Sequence, residues 1–219
     1  MTEKISKSNP NHALVRILYD NEQRHSNGAG FLADKKHIIT CAHVVDGCIH
    51  DENDEKIVYV DFPLIRGNPM IETRLILRRE PVSDPTVEQT SDIAILEILP
   101  RAQLPDMACP AILKDVGEME IFDHPVRICG FPEYMEHGDW IDGRLKGETG
   151  QGIQINHKLT SGKGAPGFSG APVWNKDKFC VGMVTRITKR EDTVSTYMIP
   201  AKYLSHFLKF HPQCKIREK

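Results

Sequence analysis

The chain has 219 residues, of which 40% are hydrophobic and 26% are charged, and its net charge is −2 at neutral pH. This length fits one large all-β domain or two small ones, and the composition is ordinary for a soluble globular protein. The balanced charge argues against direct binding of nucleic acid, and no apolar run approaches the roughly 20 residues of a membrane-spanning helix.

Cysteine usage and the N-terminal composition bear on compartment and metal binding. Residues 1–10 carry charges but no apolar stretch of the signal-peptide kind, so we expect a cytoplasmic protein. The cysteines form no C-x-x-C pair, which argues against a structural zinc site and favours reduced thiols packed as small hydrophobic side chains. We therefore expect neither a metal nor another cofactor. The six cysteines are Cys41, Cys48, Cys109, Cys129, Cys180 and Cys214.

Short apolar segments in the first half predict an all-β protein. A polar segment over 1–11, expected to be mobile, precedes them, and the glycines at 27–30 predict a turn. Turns at roughly ten-residue spacing favour a β-barrel or a β-sandwich. The predicted strands cover 12–19, 31–33, 38–40, 57–62 and 72–77.

Two residues in this half lie at strand boundaries and have side chains that can act as a base and an acid. His43 follows the strand 38–40, and Asp92 directly precedes the alternating segment 93–98 after a predicted surface loop over 79–91. Each alone is more common as a structural residue, because such a histidine usually makes a local hydrogen bond and such an aspartate usually ends a turn.

The second half starts again with strands after a proline-containing connection over 100–124. The apolar positions 204, 207 and 208 have a helical period and predict a C-terminal helix. Eight further histidines, among them His37 and His157, have polar sequence surroundings and are expected to be solvated. The predicted strands cover 125–131, 140–146, 152–159, 179–188 and 193–199.

Ser169 lies between glycines in the run Pro-Gly-Phe-Ser-Gly-Ala-Pro-Val at 166–173. Because glycine frees the backbone, the N–H groups of Gly167 and Ser169 can converge on one point beside the hydroxyl, as an acyl-transfer oxyanion requires. Such a run alone marks an ordinary turn more often than an active site. However, His43, Asp92 and Ser169 follow one of the chain orders in which a Ser-His-Asp triad is assembled.

These motifs resemble those of the chymotrypsin-like serine peptidases. Residues 39–43 (Ile-Thr-Cys-Ala-His) are similar to the family's histidine motif, 92–96 (Asp-Ile-Ala-Ile-Leu) to its aspartate motif, and 167–173 to its nucleophile motif. The resemblance runs from about Leu14 to the terminal helix. It implies a trypsin-like fold of two six-stranded antiparallel β-barrels with a C-terminal α-helix.

The domain organisation that the resemblance implies has three parts after the segment 1–11. The first barrel would cover 12–110, the second barrel 111–200, and the helix 201–212. His43 and Asp92 would then come from the first barrel and Ser169 from the second.

The resemblance also implies the chemistry of a serine endopeptidase acting on proteins or peptides. Ser169 would be the nucleophile, His43 the general base and Asp92 its orienting acid, with the N–H groups of Gly167 and Ser169 as the oxyanion hole. Phe168 stands where secreted members have the aspartate that pairs with a new N-terminus, so activation by zymogen cleavage is not expected. Val44 replaces a bridging cysteine of those members.

Several segments are similar to bacterial trypsin-like domains joined to NTPase, WD40 and other conflict-system proteins. This similarity implies a regulated effector in bacterial or antiviral defence, controlled by a protein partner or a larger assembly. The segments are 28–32, 60–64, 130–133, 166–174, 181–184 and 197–200.

Substrate preference in this family depends on a pocket whose base lies six residues before the nucleophile, which corresponds here to Lys163. Thr185, Arg186 and Ser195 are expected in its walls. No acid occupies these positions, so a preference for Arg or Lys before the cut has no counter-ion, whereas Lys163 and Arg186 favour an acidic residue. A lysine that points to solvent is the alternative, and a medium apolar residue would then be preferred.

Two other functions fit parts of the pattern. A catalytically silent trypsin-fold module could bind a partner peptide in the same groove. An esterase shares the triad, but that activity is usual on an α/β sheet, and the alternating helices of such a sheet are not predicted here.

Overall fold

The computed structural model describes residues 9–81, 91–117, 121–132, 135, 137–149, 152–157, 167–190 and 193–210. Much of the polar segment expected over 1–11 and the end of the expected helix 201–212 lie outside these residues. A one-turn 3-10 helix, Pro10–Ala13, begins the described chain, with the side chain of Asn9 accepting a hydrogen bond from the N–H of Asn11.

The first half of the chain forms seven antiparallel strands. They are β1 (Leu14–Leu18), β2 (Ser26–Leu32), β3 (His37–Thr40), β4 (His50–Glu52), β5 (Glu55–Asp61), β6 (Met70–Arg79) and β7 (Ile93–Ile98). Six of them pair in the order β1-β2-β3-β7-β6-β5, and β5 pairs back to β1, which closes a barrel. The short β4 adds only to the first part of β5.

A buried ion pair spans the closure of this barrel. Arg16 on β1 and Asp61 on β5 are direct partners in the register, and two hydrogen bonds of 2.6 and 2.9 Å join the guanidinium to the carboxylate. The side chains are 4% and 0% exposed, so each charge depends on the other for its solvation.

The turn predicted over 27–30 is wrong, because these residues belong to β2. β2 runs between β1 and β3, and at Gly30 a side chain would lie 3.0 Å from the carbonyl oxygen of Ile39 and 3.1 Å from Val15. The glycine is therefore explained by close packing inside a sheet rather than by a change of chain direction.

The second half forms a closed barrel of six strands. They are β8 (Pro125–Gly130), β9 (Asp139–Thr149), β10 (Gly152–His157), β11 (Pro172–Asn175), β12 (Cys180–Arg190) and β13 (Thr193–Pro200). Their order is β8-β9-β10-β13-β12-β11, which repeats the order of the first barrel once β4 is left out. The helix α2 (Ala201–Phe210) follows β13 directly and packs on β12 and β13. The predicted fold of two six-stranded barrels and a terminal helix is confirmed.

The inward faces of the strands carry the cores. In the second barrel, alternate residues such as Ile153 and Ile155 on β10 and Met198 on β13 are fully or almost fully buried. The buried face of α2, with Leu204 and Leu208, joins the core of the first barrel. Burying each such side chain contributes on the order of 2 kcal/mol. No helix in the described part of the chain is long and apolar enough to cross a membrane.

Two histidines that we expected to be solvated are buried. His37 is 3% exposed and its Nδ1 bonds the carboxylate of Asp34 at 2.8 Å. His157 lies on the inward face of β10, 8% exposed, with Nε2 2.7 Å from the hydroxyl of Thr196. His157 is turned inward by strand alternation, and His37 belongs to β3, whose four residues are all buried, which their polar sequence neighbours did not indicate.

Candidate active site

His43 is carried by a single helical turn, α1 (Ala42–Val45), directly after β3. Ala42, Val44 and Val45 are buried and anchor the turn, whereas the side chain of His43 is 41% exposed. The backbone of His43 is therefore held in place, while its imidazole is accessible to solvent. Accessibility and fixed orientation are what a catalytic base requires.

Asp92 meets His43 because β3 and β7 are neighbours, with Thr40 opposite Ala94. One carboxylate oxygen accepts the N–H of His43 at 3.0 Å, and the other lies 2.8 Å from its Nδ1. A carboxylate only accepts, so Nδ1 is the donor and the neutral ring has its free lone pair on Nε2. Asp92 is 7% exposed and has a left-handed backbone, φ +60°.

Ser169 lies in a glycine turn that is fastened to both barrels. Its carbonyl oxygen accepts the N–H of Ala29 on β2 at 2.8 Å, and the N–H of Gly170 donates to Val184 on β12 at 2.8 Å. Gly170 has φ +83°, and a side chain there would lie 1.9 Å from the carbonyl oxygen of Ala29. Only glycine fits this contact.

The residues before Ser169 fix the turn from the other side. Gly167 has φ +108°, and a side chain there would lie 2.2 Å from the carbonyl oxygen of Phe131. Phe168 is 3% exposed and packs on Gly130, so it belongs to the core under the turn. Within the described part of the chain, the N–H groups of Gly167 and Ser169 have no hydrogen-bond acceptor.

The Ser169 hydroxyl donates to the carbonyl oxygen of Thr185, at 3.3 Å. No hydrogen bond joins it to His43 among the described residues. The structure thus joins two of the three predicted triad residues directly, while the third is placed on the adjoining turn with its hydroxyl directed to β12. Ser169 is half-buried, and its side chain has one rotatable bond through which the hydroxyl changes partner.

The predicted pocket residues are only partly brought together. Thr185 contacts Ser169, and its own hydroxyl donates to the carbonyl oxygen of Tyr197 at 3.3 Å. Arg186 is exposed on the same strand. Ser195 lies on β13, where its hydroxyl accepts from the amide of Gln154 at 3.1 Å. Lys163 lies outside the described residues.

One edge of β12 is unpaired next to Ser169. β11 pairs with β12 only up to Met183, whereas β13 pairs with it on the other side as far as Arg190. In the described part of the chain, residues 185–190 therefore have no strand partner on the side where β11 ends. A free strand edge can bind an extended peptide through backbone hydrogen bonds.

The sequence analysis missed Cys41. Its thiol is fully buried and donates to the carbonyl oxygen of Val184 at 3.2 Å, across the two barrels. Burial, followed by the negative charge of Asp92, raises the pKa of the Cys41 thiol well above its ordinary value. Its position two residues before His43 was visible, but an apolar strand end gives no sign that its thiol faces the site.

Single donor atoms of Cys41, His43 and Asp92 lie within 4.8 Å of one another. A nitrogen and an oxygen bound to one tetrahedral zinc ion would be about 3.3 Å apart, whereas Nδ1 of His43 and the Asp92 oxygen are separated by 2.8 Å. The distance is that of a direct hydrogen bond, so His43 and Asp92 are arranged as hydrogen-bond partners rather than as ligands of one metal ion.

A cavity of about 760 Å³ lies on the outer side of the second barrel. Both tryptophans of the chain, Trp140 and Trp174, line it together with the 3-10 segment that begins at Pro10. None of the predicted triad residues is part of its lining.

Comparison with solved structures gives the same fold. The MamO protease domain from Magnetospirillum magneticum aligns with a TM-score of 0.63 and 14% identity over 93% of this chain and 98% of that one. Deg5 aligns with a TM-score of 0.55 and 18% identity over 92% and 90% of the two chains. The Rv3671c protease, in an inactive form, gives 0.56 and 18% over 91% and 89%.

At sequence level no curated protein matches the chain significantly. The sequence profile of the trypsin-like peptidase domain matches residues 28–183, which include His43, Asp92 and Ser169. This match covers more than half of the 219 residues, and it agrees with the two barrels and with the protease folds they resemble. The chain belongs to the trypsin-like peptidase domain family.

Proposed function

We propose that this protein is a serine endopeptidase that cleaves protein substrates through an acyl-enzyme formed on Ser169. The observation that carries the proposal is the pair of hydrogen bonds between His43 and Asp92, next to a glycine turn that carries Ser169. The pair leaves Nε2 as the free basic atom, and the family supplies the reaction class.

In the proposed reaction, rotation of the Ser169 side chain brings its hydroxyl from Thr185 to Nε2 of His43. The oxygen attacks the substrate carbonyl as His43 takes the proton, and Asp92 stabilises the resulting imidazolium. The N–H groups of Gly167 and Ser169 hold the oxyanion, and each such donor contributes about 3 kcal/mol in comparable sites. His43 then gives its proton to the leaving amine, and water hydrolyses the ester by the same route.

Binding of the substrate backbone is assigned to the free edge of β12. An extended peptide adding to residues 185–190 would pass Ser169, because Thr185 contacts its hydroxyl. In the free protein the backbone N–H and C=O groups of this edge hydrogen-bond to water instead of to a peptide. The edge therefore needs no strand partner when substrate is absent.

Labelling with a fluorophosphonate tests the nucleophile. The wild-type protein should react at Ser169, and Ser169→Ala and His43→Ala should not, while all three keep the same circular dichroism spectrum. Labelling that persists in Ser169→Ala would show that another residue is the nucleophile.

A second candidate, a silent module that binds a partner peptide, is favoured by the bond from the Ser169 hydroxyl to Thr185 in place of His43. The same experiment separates the two functions. A folded wild-type protein that neither labels nor hydrolyses peptides, yet binds them, is the silent module.

For specificity we propose that Lys163 and Arg186 favour an acidic side chain before the cut, with Thr185 and Ser195 in the wall. The exposed position of Arg186 on β12, one residue after Thr185, supports this assignment. Cleavage of a peptide library should show preference for Glu or Asp, reduced by Lys163→Ala and Arg186→Ala. Strong preference for Arg or Lys would contradict it.

We further propose a cytoplasmic effector in bacterial defence, held in check by a protein partner or an assembly. Its support is the motif similarity to conflict-system domains, and buried free thiols such as Cys41 and Cys180 suit a reducing compartment. Cells expressing the wild-type protein and its neighbouring genes should resist phage better than cells with Ser169→Ala. Equal plaque counts, or rapid constitutive digestion of casein by the isolated chain, would contradict the regulated role.

A further inference from the structure

The Cys41 sulfur lies between parts of the site that belong to different barrels. From the first barrel, one donor atom each of His43 and Asp92 lies within 4.8 Å of it. From the second, it donates to the carbonyl oxygen of Val184 at 3.2 Å, and the N–H of Gly170 is close to it. Gly170 is the residue after the nucleophile.

Val184 is shared by the two contacts. Its carbonyl oxygen accepts both the thiol of Cys41 and the N–H of Gly170, the latter at 2.8 Å. The strand end that leads to His43 and the turn that carries Ser169 are therefore fastened to the same backbone atom. A displacement of either segment stretches one of these two bonds.

The Asp92 carboxylate needs donors because it is buried. Two come from His43, its backbone N–H and Nδ1. The single hydrogen of the Cys41 thiol is donated to Val184, so Cys41 acts on this pair through the position of the strand end that leads to His43. The hydroxyl of Thr185, the residue after Val184, donates instead to Tyr197.

The thiol acts as a donor and not as a nucleophile. It is fully buried, and burial together with the charge of Asp92 raises its pKa, so it stays protonated over the range in which a peptidase works. A protonated thiol remains a weak hydrogen-bond donor, here to the carbonyl oxygen of Val184.

We propose that Cys41 is a positioning residue of the active site, whose thiol fastens the strand end that leads to His43 to the turn of Ser169 through the carbonyl oxygen of Val184. This inference rests on the proposed peptidase function. It adds a fourth side chain to the three that the family motif supplies.

Steady-state kinetics of Cys41→Ala, Cys41→Ser and Cys48→Ala test it. Cys48 is the matched control, because it is equally buried and its thiol donates to Val44 at 3.4 Å. Cys41→Ala should lower kcat about tenfold with KM within twofold, because His43 and Ser169 lose part of their fixed relative orientation. Cys41→Ser should recover most of kcat, and Cys48→Ala should leave it unchanged.

Comparison of the two substitutions at Cys41 separates positioning from packing. Serine restores a hydrogen-bond donor to the carbonyl oxygen of Val184 but not the volume of the thiol, so kcat should recover in Cys41→Ser. Equal losses of kcat in Cys41→Ala and Cys41→Ser, or a kcat of Cys41→Ala equal to that of Cys48→Ala, would reduce Cys41 to a packing residue.

A readout independent of turnover uses the Ser169→Ala protein. The His43 Nδ1–H proton, bonded to Asp92, should give a downfield proton resonance that shifts when Cys41→Ala is added and does not shift with Cys48→Ala. If the wild type shows no turnover, the proposed function fails while this comparison still tests Cys41. If Cys41→Ala does not fold, the resonance is measured in Cys41→Ser instead. Because serine keeps a hydrogen-bond donor at this position, loss of the resonance in Cys41→Ser would contradict a positioning role.

Discussion

Single residues determine which atom of His43 is available for proton transfer. Asp92 occupies Nδ1 and the backbone N–H of the same residue, so the ring can neither rotate nor change tautomer without breaking a bond of about 3 Å. The left-handed backbone of Asp92 places both oxygens for this purpose. Aspartate and asparagine tolerate that conformation better than other non-glycine residues.

The Asp92→Asn variant exploits this tolerance. Asparagine keeps the left-handed backbone, but its amide cannot hold the same tautomer of His43. We expect kcat to fall about 10⁴-fold with little change in thermal stability. Measurement of kcat on a peptide substrate beside a thermal melt checks this, and a variant that retains more than a tenth of the activity would exclude Asp92 from the triad.

His157 gives a pH-dependent stability. Burial lowers its pKa below the ordinary value of 6.5, so the unfolded chain binds more protons than the folded chain as the pH falls through the interval between the two values. Its contribution to stability is fully present above pH 6.5 and is lost on acidification. Urea unfolding from pH 8 to 5 should show a steeper loss for the wild type than for His157→Gln.

Exposed His25 is the control for that measurement, because its substitution by glutamine should leave the slope unchanged. A wild-type slope equal to that of His157→Gln would show that the buried imidazole does not titrate in this interval.

At the scale of elements, the turn that carries Ser169 shows which contacts the spacing of the sequence motifs predicts and which it does not. The sequence order of His43, Asp92 and Ser169 predicted which elements meet, and the strands deliver these residues to one region. The contact between Cys41 and Val184 joins residues 143 positions apart, and no local pattern encodes it. The first part of the strand Ser26–Leu32 was predicted as a turn for a related reason, because its small residues are explained by close packing against neighbouring strands.

Glycines of the turn provide a test at this scale. Gly170→Ala would place a carbon 1.9 Å from the carbonyl oxygen of Ala29, and Gly167→Ala one 2.2 Å from that of Phe131. We expect each to abolish fluorophosphonate labelling and to destabilise the fold by about 2–4 kcal/mol. Chemical unfolding and labelling of the same samples measure both effects.

Gly67→Ala is the control that distinguishes the backbone strain of a positive φ from the steric collision at the turn of Ser169. Gly67 has φ +86° but nothing within 4 Å of an added side chain, so Gly67→Ala should cost about 1 kcal/mol and keep full labelling. Equal losses for Gly67→Ala and Gly170→Ala would contradict the close contact at the turn.

At the scale of the whole molecule, each barrel is closed by its own pairing, and the first closure contains the buried Arg16–Asp61 pair. Asp61→Ala would remove the carboxylate that bonds the buried Arg16 guanidinium. We expect a loss of about 3–5 kcal/mol in the free energy of unfolding. The exposed Arg127–Asp142 pair is the comparison, and Asp142→Ala should cost less than about 1 kcal/mol.

Thermal and urea unfolding of the two variants measure the difference. Similar losses for Asp61→Ala and Asp142→Ala would mean that the buried pair is not needed for barrel closure.

The hydrogen bond between Ser169 and Ala29 makes the proposed catalysis depend on how the two barrels dock. Neither barrel contains a complete set of reacting groups, so a chain cut in the connection between them should be inert as separate fragments and regain labelling on mixing. An inhibitor therefore does not need to bind beside Ser169. A partner that wedges the barrels apart by little more than the length of one hydrogen bond would switch the protein off, and its release would switch it on.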